Sequence, residues 1–155
     1  MKISKLSFVG IVLLLTLASF GVVSACSCTP GFWKAPQHRY TWEGLIPTDN
    51  VAVDSGSCMP RFFDLDGVPG YDSNLQALSY KGGPGIPGAQ RIFLRAWVAN
   101  QLNVPYGGYE LFTSEEAFTI LTTYDRAGII HDAEALDYEN NFGICDVLEQ
   151  YPLPG

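Results

Sequence analysis

The fifteen residues from Gln90 to Val104, QRIFLRAWVANQLNV, decide the fold of this chain. They are rich in strong helix formers. Pro105 follows them and ends a helix, because proline lacks a backbone N–H and restricts the residue before it. Apolar residues occur on nearly every side of the predicted helix. A helix that is apolar all round is normally buried, so we expect Gln90–Val104 to be the centre of a small domain.

A second helix is predicted over Thr113–Ala127. It opens with a capping box in which Thr113 and Glu116 satisfy each other's backbone N–H groups. Gly128 supplies the left-handed residue that would close it. Its expected inward-facing residues are Ala117, Ile120, Leu121 and Tyr124.

A third helix is predicted over Asp132–Phe142, capped by Asp132, ended at Gly143 and with Leu136 turned inward. The half before the helices, residues 26–88, contains 9 Gly and 7 Pro and is therefore interrupted by turns. We expect a mainly α fold, small and partly irregular. Three C-terminal helices pack on a Gly/Pro-rich, disulfide-stapled N-terminal half. That half has at most short strands, such as Asn50–Val53 and Arg61–Phe63, and Lys81–Gly88 is a predicted loop.

Residues 1–25 have the organisation of a secretory signal peptide. Lys2 and Lys5 precede an uncharged apolar segment, and small residues occupy positions 23–25. We expect cleavage before Cys26. Residues 26–155 then form a single small extracellular domain, secreted or at the cell surface, with no transmembrane segment. Positions 23–26 also fit a bacterial lipoprotein cleavage box, so lipidation of Cys26 is an alternative.

The charge balance is acidic and uneven. Nine Lys+Arg against 16 Asp+Glu give a net charge of −7. Nucleic-acid binding normally needs a basic face that neutralises phosphates, so we expect no nucleic-acid partner. Residues 106–155 carry Arg126 alone against ten acidic residues. Most of the negative charge therefore lies in the last third of the chain.

Four cysteines follow the predicted cleavage site, and an even number in a secreted chain predicts disulfides. A bridge between Cys26 and Cys28 would be strained across one intervening residue. One of the two is therefore expected to pair with Cys58 and the other with Cys145. The bridge to Cys145 would tie the N-terminus to the C-terminal helices.

The segment CSCTPGFWK, residues 26–34, resembles the opening of a group of secreted microbial domains. These domains begin Cys-x-x-Thr-x-Gly-(Tyr/Phe)-Trp-Lys directly after the signal peptide. Similar segments follow at WEGLIP (42–47), the pair 62–63, AWVANQLN (96–103) and NNFGIC (140–145). The group has no established activity, so the resemblance implies fold and location. Within it Cys26 is the family cysteine, which favours the pairs Cys26–Cys145 and Cys28–Cys58.

Three sets of residues are candidate sites. Phe32, Trp33 and Lys34 form either a binding element or part of the architecture. Tyr106 and Tyr109 are expected in an exposed loop, where aromatic rings bind carbohydrate. Asp64, Asp66 and Asp72 are weak candidates for a calcium site, and an ordinary Asp-rich turn is the alternative, because the third alternate ligand and the bidentate Glu of a standard calcium loop are missing. We expect no cofactor, with calcium as the alternative.

The chain lacks the Gly-x-Ser-x-Gly motif of serine hydrolases. We therefore expect a structural or adhesive module without catalysis. Its partners would be extracellular proteins or polysaccharides, or further copies of itself. The alternative is a small secreted carbohydrate-binding protein or hydrolase that uses the acidic residues of the C-terminal third. Those acids are Glu115, Glu116, Asp132, Glu134, Asp137 and Glu139, and His131 lies beside Asp132.

Overall fold

The computed structural model of the chain describes residues 27–49, 51–54, 60–62, 73–143, 145 and 147. Several predictions lie outside these residues. They concern the signal peptide 1–25, the cysteines Cys26 and Cys58, and the calcium candidates Asp64, Asp66 and Asp72.

The described chain is mainly helical, as predicted. In chain order the elements are α1 (Pro30–Lys34), a 3-10 turn (Pro36–Thr41), β1 (Ala52–Asp54), β2 (Pro60–Phe62), α2 (Asn74–Ala77), α3 (Gly85–Asn103), a second 3-10 turn (Val104–Tyr106), α4 (Ser114–Thr123) and α5 (Arg126–Asn141). β1 and β2 pair antiparallel, with Val53 opposite Arg61. Helix α5 packs along α3, while α1 and α2 also contact α3, and α4 contacts β1.

Helix α3 is the centre of the fold, as the sequence predicts. Phe93, Leu94, Val98 and Leu102 are completely buried in it. The helix starts at Gly85, so the expectation that all of Lys81–Gly88 is a loop is wrong. Pro87 is tolerated in the first turn, where a backbone N–H has no partner in the helix. Gly88 is required there because a Cβ atom would lie 2.1 Å from the carbonyl oxygen of Gly83.

The boundary between α4 and α5 differs from the prediction. The capping box of Thr113 and Glu116 is confirmed, but α4 ends at Thr123 because Tyr124 is extended. Asp125 then caps α5 by accepting a hydrogen bond from the Gly128 N–H at 2.8 Å. Gly128 therefore lies in the first turn of α5 and does not close α4.

Two further details of these helices are corrected. Asp132 lies inside α5 and does not cap it, because Asp125 satisfies the first N–H groups of the helix. Tyr124 is 45% exposed and does not belong to the inward stripe, whereas Ala117, Ile120 and Leu121 are buried as predicted. Leu136 is buried, and α5 ends at Asn141, two residues before Gly143 in the left-handed region.

The disulfide of the described residues joins Cys28 to Cys145, whose Cα atoms lie 4.8 Å apart. The predicted pairs Cys26–Cys145 and Cys28–Cys58 are therefore wrong. The link from the N-terminus to the C-terminal helices is confirmed, but Cys28 makes it. Within the described part of the chain, no helix has the length and apolar character needed to cross a membrane.

Candidate functional site

The aromatic residues of the opening motif are architectural. Trp33 is completely buried, and its indole N–H donates to Asn103 Oδ1 at 3.0 Å. Phe32 packs edge-on against Trp33, with ring centroids 5.0 Å apart, and stacks on the His38 ring at 4.0 Å. Thr29 caps the short helix α1 that carries both rings. Phe32 and Trp33 therefore fix α1 against the core.

A buried amide network joins α1, α3 and α5. Asn103 Oδ1 accepts from the Cys28 N–H at 2.8 Å, and Asn103 Nδ2 donates to the Cys28 carbonyl at 3.1 Å. Asn103 Nδ2 also donates to Asn140 Oδ1 at 2.9 Å, and Asn140 Nδ2 donates to the Ala96 carbonyl at 2.8 Å. Polar groups in a core need such partners, so these two asparagines determine how the helices meet.

Sequence reasoning did not single out these asparagines, although a signal was present. Asn103 interrupts a helix that is otherwise apolar on nearly every side. Asn140 opens the segment Asn-Asn-x-Gly-x-Cys, which carries part of the family resemblance. Asn100 acts similarly at the next loop, where it donates to the Tyr109 carbonyl at 2.9 Å and accepts from the Leu111 N–H at 3.2 Å.

The two tyrosines of the predicted exposed loop differ in their exposure to solvent. Tyr109 is 65% exposed, as predicted. Tyr106 is buried, so its prediction as an exposed binding residue is wrong. Its hydroxyl donates to the Thr41 carbonyl, and its ring lies 5.7 Å from that of Trp33. The 3-10 turn after α3 directs Tyr106 inward, because Pro105 tightens the chain at that point.

Lys34, the last residue of α1, lies in a groove that gathers basic side chains. The larger section of the groove has a volume of about 790 Å³ and runs between α1, α2 and α3. Its lining includes Lys34, Arg39, Lys81 and Arg91. An adjoining section of about 400 Å³ shares Lys34 and Lys81 and adds Arg95. We call these five residues and the surface between them the basic groove.

The lining of the two sections differs in its acidic groups. No Asp or Glu is among the described residues that line the larger section. The smaller section contains Asp137, whose carboxylate lies 3.5 Å from the Arg95 guanidinium. Partial burial raises the pKa of Asp137, against the opposing effect of Arg95. The groove thus concentrates positive charge on a chain whose net charge is −7.

Of the six acidic residues predicted as a possible hydrolase site, Asp137 lies in the basic groove, and three others lie together in a separate pocket. Glu115, Glu116 and Asp132 line a pocket of about 350 Å³ between α4 and α5. Hydrogen bonds from the Thr113 backbone and hydroxyl lower the pKa of Glu116. A glycosidase acid needs a raised pKa, so the Glu116 carboxylate is suited to capping α4 and not to donating a proton. His131 is 83% exposed, with Nδ1 3.0 Å from Asp132 Oδ1.

The described residues contain no cluster of three or more His, Cys, Asp or Glu suited to a metal ion. The calcium candidates lie outside those residues and stay a prediction. Comparisons of the chain with protein-family models, curated proteins and solved structures find no match. The resemblance of the opening motif to secreted microbial domains therefore also stays a prediction.

Proposed function

We propose that the protein is a secreted or cell-surface adhesive module that binds an anionic polymer of the envelope or matrix through the basic groove. The observation that carries this proposal is the convergence of five cations from separate segments. Lys34 ends α1, Arg39 lies in the following turn, Lys81 follows α2, and Arg91 and Arg95 project from α3.

Electrostatics favours a bound anion in this place. Like charges repel, so a groove that gathers cations gains when a ligand neutralises them. Arginine adds a fork of N–H donors that matches carboxylate geometry. The acidic remainder of the protein repels polyanions, which confines them to the groove and makes the contact directional.

The shape of the groove favours an extended ligand over a small ion. Its two sections share Gly31, Ser79 and Tyr80 in addition to Lys34 and Lys81, so they form one continuous surface. A polymer with regularly spaced charges reaches all five cations together. Several weak contacts along one chain then add up to useful affinity.

The test compares Lys81→Glu with Arg126→Glu. Each substitution changes the net charge by the same amount, but Arg126 is exposed at the start of α5 and does not line the groove. Binding of labelled polygalacturonate and polyglutamate is measured by fluorescence anisotropy in low and moderate salt. We expect Lys81→Glu to weaken binding about tenfold, or ~1.4 kcal/mol, and Arg126→Glu to have a much smaller effect.

Equal losses in the two variants would show that net charge alone attracts the polymers. Failure of the unaltered protein to bind either polymer at low salt would refute the proposal. Because Lys81 and Arg126 are both exposed, their substitution is not expected to disturb folding. A thermal melt of each variant checks this.

A further inference from the structure

Two exposed aromatic rings lie beside the smaller section of the basic groove. Tyr138 is 67% exposed and Phe142 is 55% exposed, and their stacked rings have centroids 5.6 Å apart. Each directly follows a residue that lines the groove, namely Asp137 and Asn141. Asp137 and Tyr138 are successive positions of α5, about 100° apart, and Phe142 directly follows the last residue of the helix, so the aromatic pair lies at the C-terminal end of α5 next to the groove.

A stacked pair of exposed rings presents apolar faces and edges that water solvates poorly. The C–H bonds on one face of a sugar ring carry slight positive charge and pack well on the electron-rich face of an aromatic ring. A polypeptide or polyphosphate chain has no comparable flat, C–H-bearing face at each repeat. The aromatic pair therefore favours a ligand built of sugar rings.

The groove also offers uncharged polar side chains near its cations. Gln76 and Ser79 line the larger section, and Ser79 and Asn141 line the smaller one. Amides and hydroxyls both donate and accept hydrogen bonds, which is what sugar hydroxyls need. Each of the three side chains also makes a hydrogen bond within the protein: Gln76 Oε1 accepts from the Ser73 N–H, Ser79 Oγ donates to the Leu75 carbonyl, and Asn141 Nδ2 donates to the Asp137 carbonyl. An amide or hydroxyl has more than one donor or acceptor position, so these side chains have further hydrogen-bonding capacity for a sugar.

The acidic group of the ligand is inferred from Asp137. Its carboxylate already lies 3.5 Å from Arg95, so a guanidinium of the groove accommodates a carboxylate. The larger section offers Lys34, Arg39 and Lys81 to the ligand's own carboxylates. We therefore propose that the groove binds a polysaccharide of acidic sugars. The carboxylates of this ligand contact the cations of the groove, and its sugar rings stack on Tyr138 and Phe142. The proposal rests on the anionic-polymer function proposed above.

The experiment uses three polymers that separate charge from sugar. Polygalacturonate has both, its fully methyl-esterified form has the sugar without the charge, and polyglutamate has the charge without the sugar. We expect the unaltered protein to bind polygalacturonate at least tenfold more tightly than either of the others. Polyphosphate serves as a fourth probe for a preference for phosphate.

The variant Tyr138→Ala/Phe142→Ala tests the aromatic pair. We expect it to weaken polygalacturonate binding about tenfold and to leave polyglutamate binding unchanged. Tyr109→Ala is the matched control, because Tyr109 is equally exposed but lies in the loop after α3. Unlike Tyr138→Ala/Phe142→Ala, it should bind polygalacturonate as the unaltered protein does.

Three outcomes would overturn the inference while leaving the anionic-polymer function intact. They are equal affinity for polygalacturonate and polyglutamate, tighter binding of polyphosphate, and an aromatic variant that binds polygalacturonate normally. Failure of all the charged polymers to bind would instead overturn both proposals. The rings are exposed, so the variants should melt at the same temperature as the unaltered protein, and this is measured first.

Discussion

Replacing Asn103 with alanine removes a side chain that joins three helices of the core. Four buried groups lose a hydrogen bond at once: the Cys28 N–H and carbonyl, the Trp33 indole N–H and Asn140 Oδ1. A buried polar group left without a partner destabilises a protein by about 1–3 kcal/mol. Because the groups share one network, their costs do not add fully, and we expect a loss of ~4 kcal/mol or more.

The matched control is Asn141→Ala. Its amide donates to the Asp137 carbonyl within the exposed face of α5, so its removal should change stability by less than about 0.5 kcal/mol. Urea unfolding followed by tryptophan fluorescence compares the two variants under oxidising conditions, which keep the disulfide intact. Small domains have about 5–15 kcal/mol of stability, so Asn103→Ala could leave the protein largely unfolded.

Asn140→Ala keeps the test informative if Asn103→Ala does not fold. It removes the bond to the Ala96 carbonyl and one partner of Asn103, and should destabilise by ~2 kcal/mol. In the double variant the second substitution should have a smaller effect than it has alone, because the two side chains bond to each other. Fully additive losses, or a loss below about 1 kcal/mol for Asn103→Ala, would refute the network argument.

Two further predictions concern the disulfide and Asp137. Breaking the Cys28–Cys145 bridge by Cys145→Ser should lower the free energy of unfolding by ~4–5 kcal/mol, because the bridge spans 117 residues, and urea unfolding measures this loss. Peptide mapping of the unaltered protein under non-reducing conditions should recover Cys28 linked to Cys145 and not to Cys58. Burial raises the pKa of Asp137, so its contribution to stability is favourable below the ordinary pKa of an Asp and is lost as pH rises through the raised value. The Asp137→Asn variant should therefore be more stable than the unaltered protein at neutral pH, and this gain should vanish in acid. It should also bind polygalacturonate about threefold more tightly, because a negative charge is removed from the groove. A gain in stability that persists below about pH 3 would contradict this reasoning.

Local signals predicted the three long helices α3, α4 and α5, but not the short helices α1 and α2 of the Gly/Pro-rich half. Pro105 and the apolar pattern before it define the end and the burial of α3, and the capping box defines the start of α4. The boundary between α4 and α5 was missed because Asp125 and Asp132 are equally good helix caps by type. What distinguishes them is Tyr124, whose extended backbone ends α4 four residues earlier than predicted, so that Asp125 caps α5 seven residues before the predicted cap Asp132.

Long-range features were beyond local signals. Cys26 and Cys28 are chemically alike and two residues apart, so the thiols alone do not decide which one pairs with Cys145. Asn103 is associated with the observed pairing of Cys28, because its side chain hydrogen-bonds both the N–H and the carbonyl of Cys28. The basic groove is similar: its cations are spread from residue 34 to residue 95, and only the packing of α1 and α2 on α3 brings them together.

In the proposed function, the opening motif combines the two roles that its sequence presented as alternatives. Trp33 is bonded to Asn103, which fixes α1 on α3. Lys34 follows Trp33 directly, while Arg91 and Arg95 project from the same α3 helix, one turn apart. The bond that anchors Trp33 therefore holds the helix that carries Lys34 against the helix that carries these arginines. Rigid placement of charges reduces the entropy lost on binding, so in the function proposed above the buried amide network contributes to binding at the groove as well as to the fold.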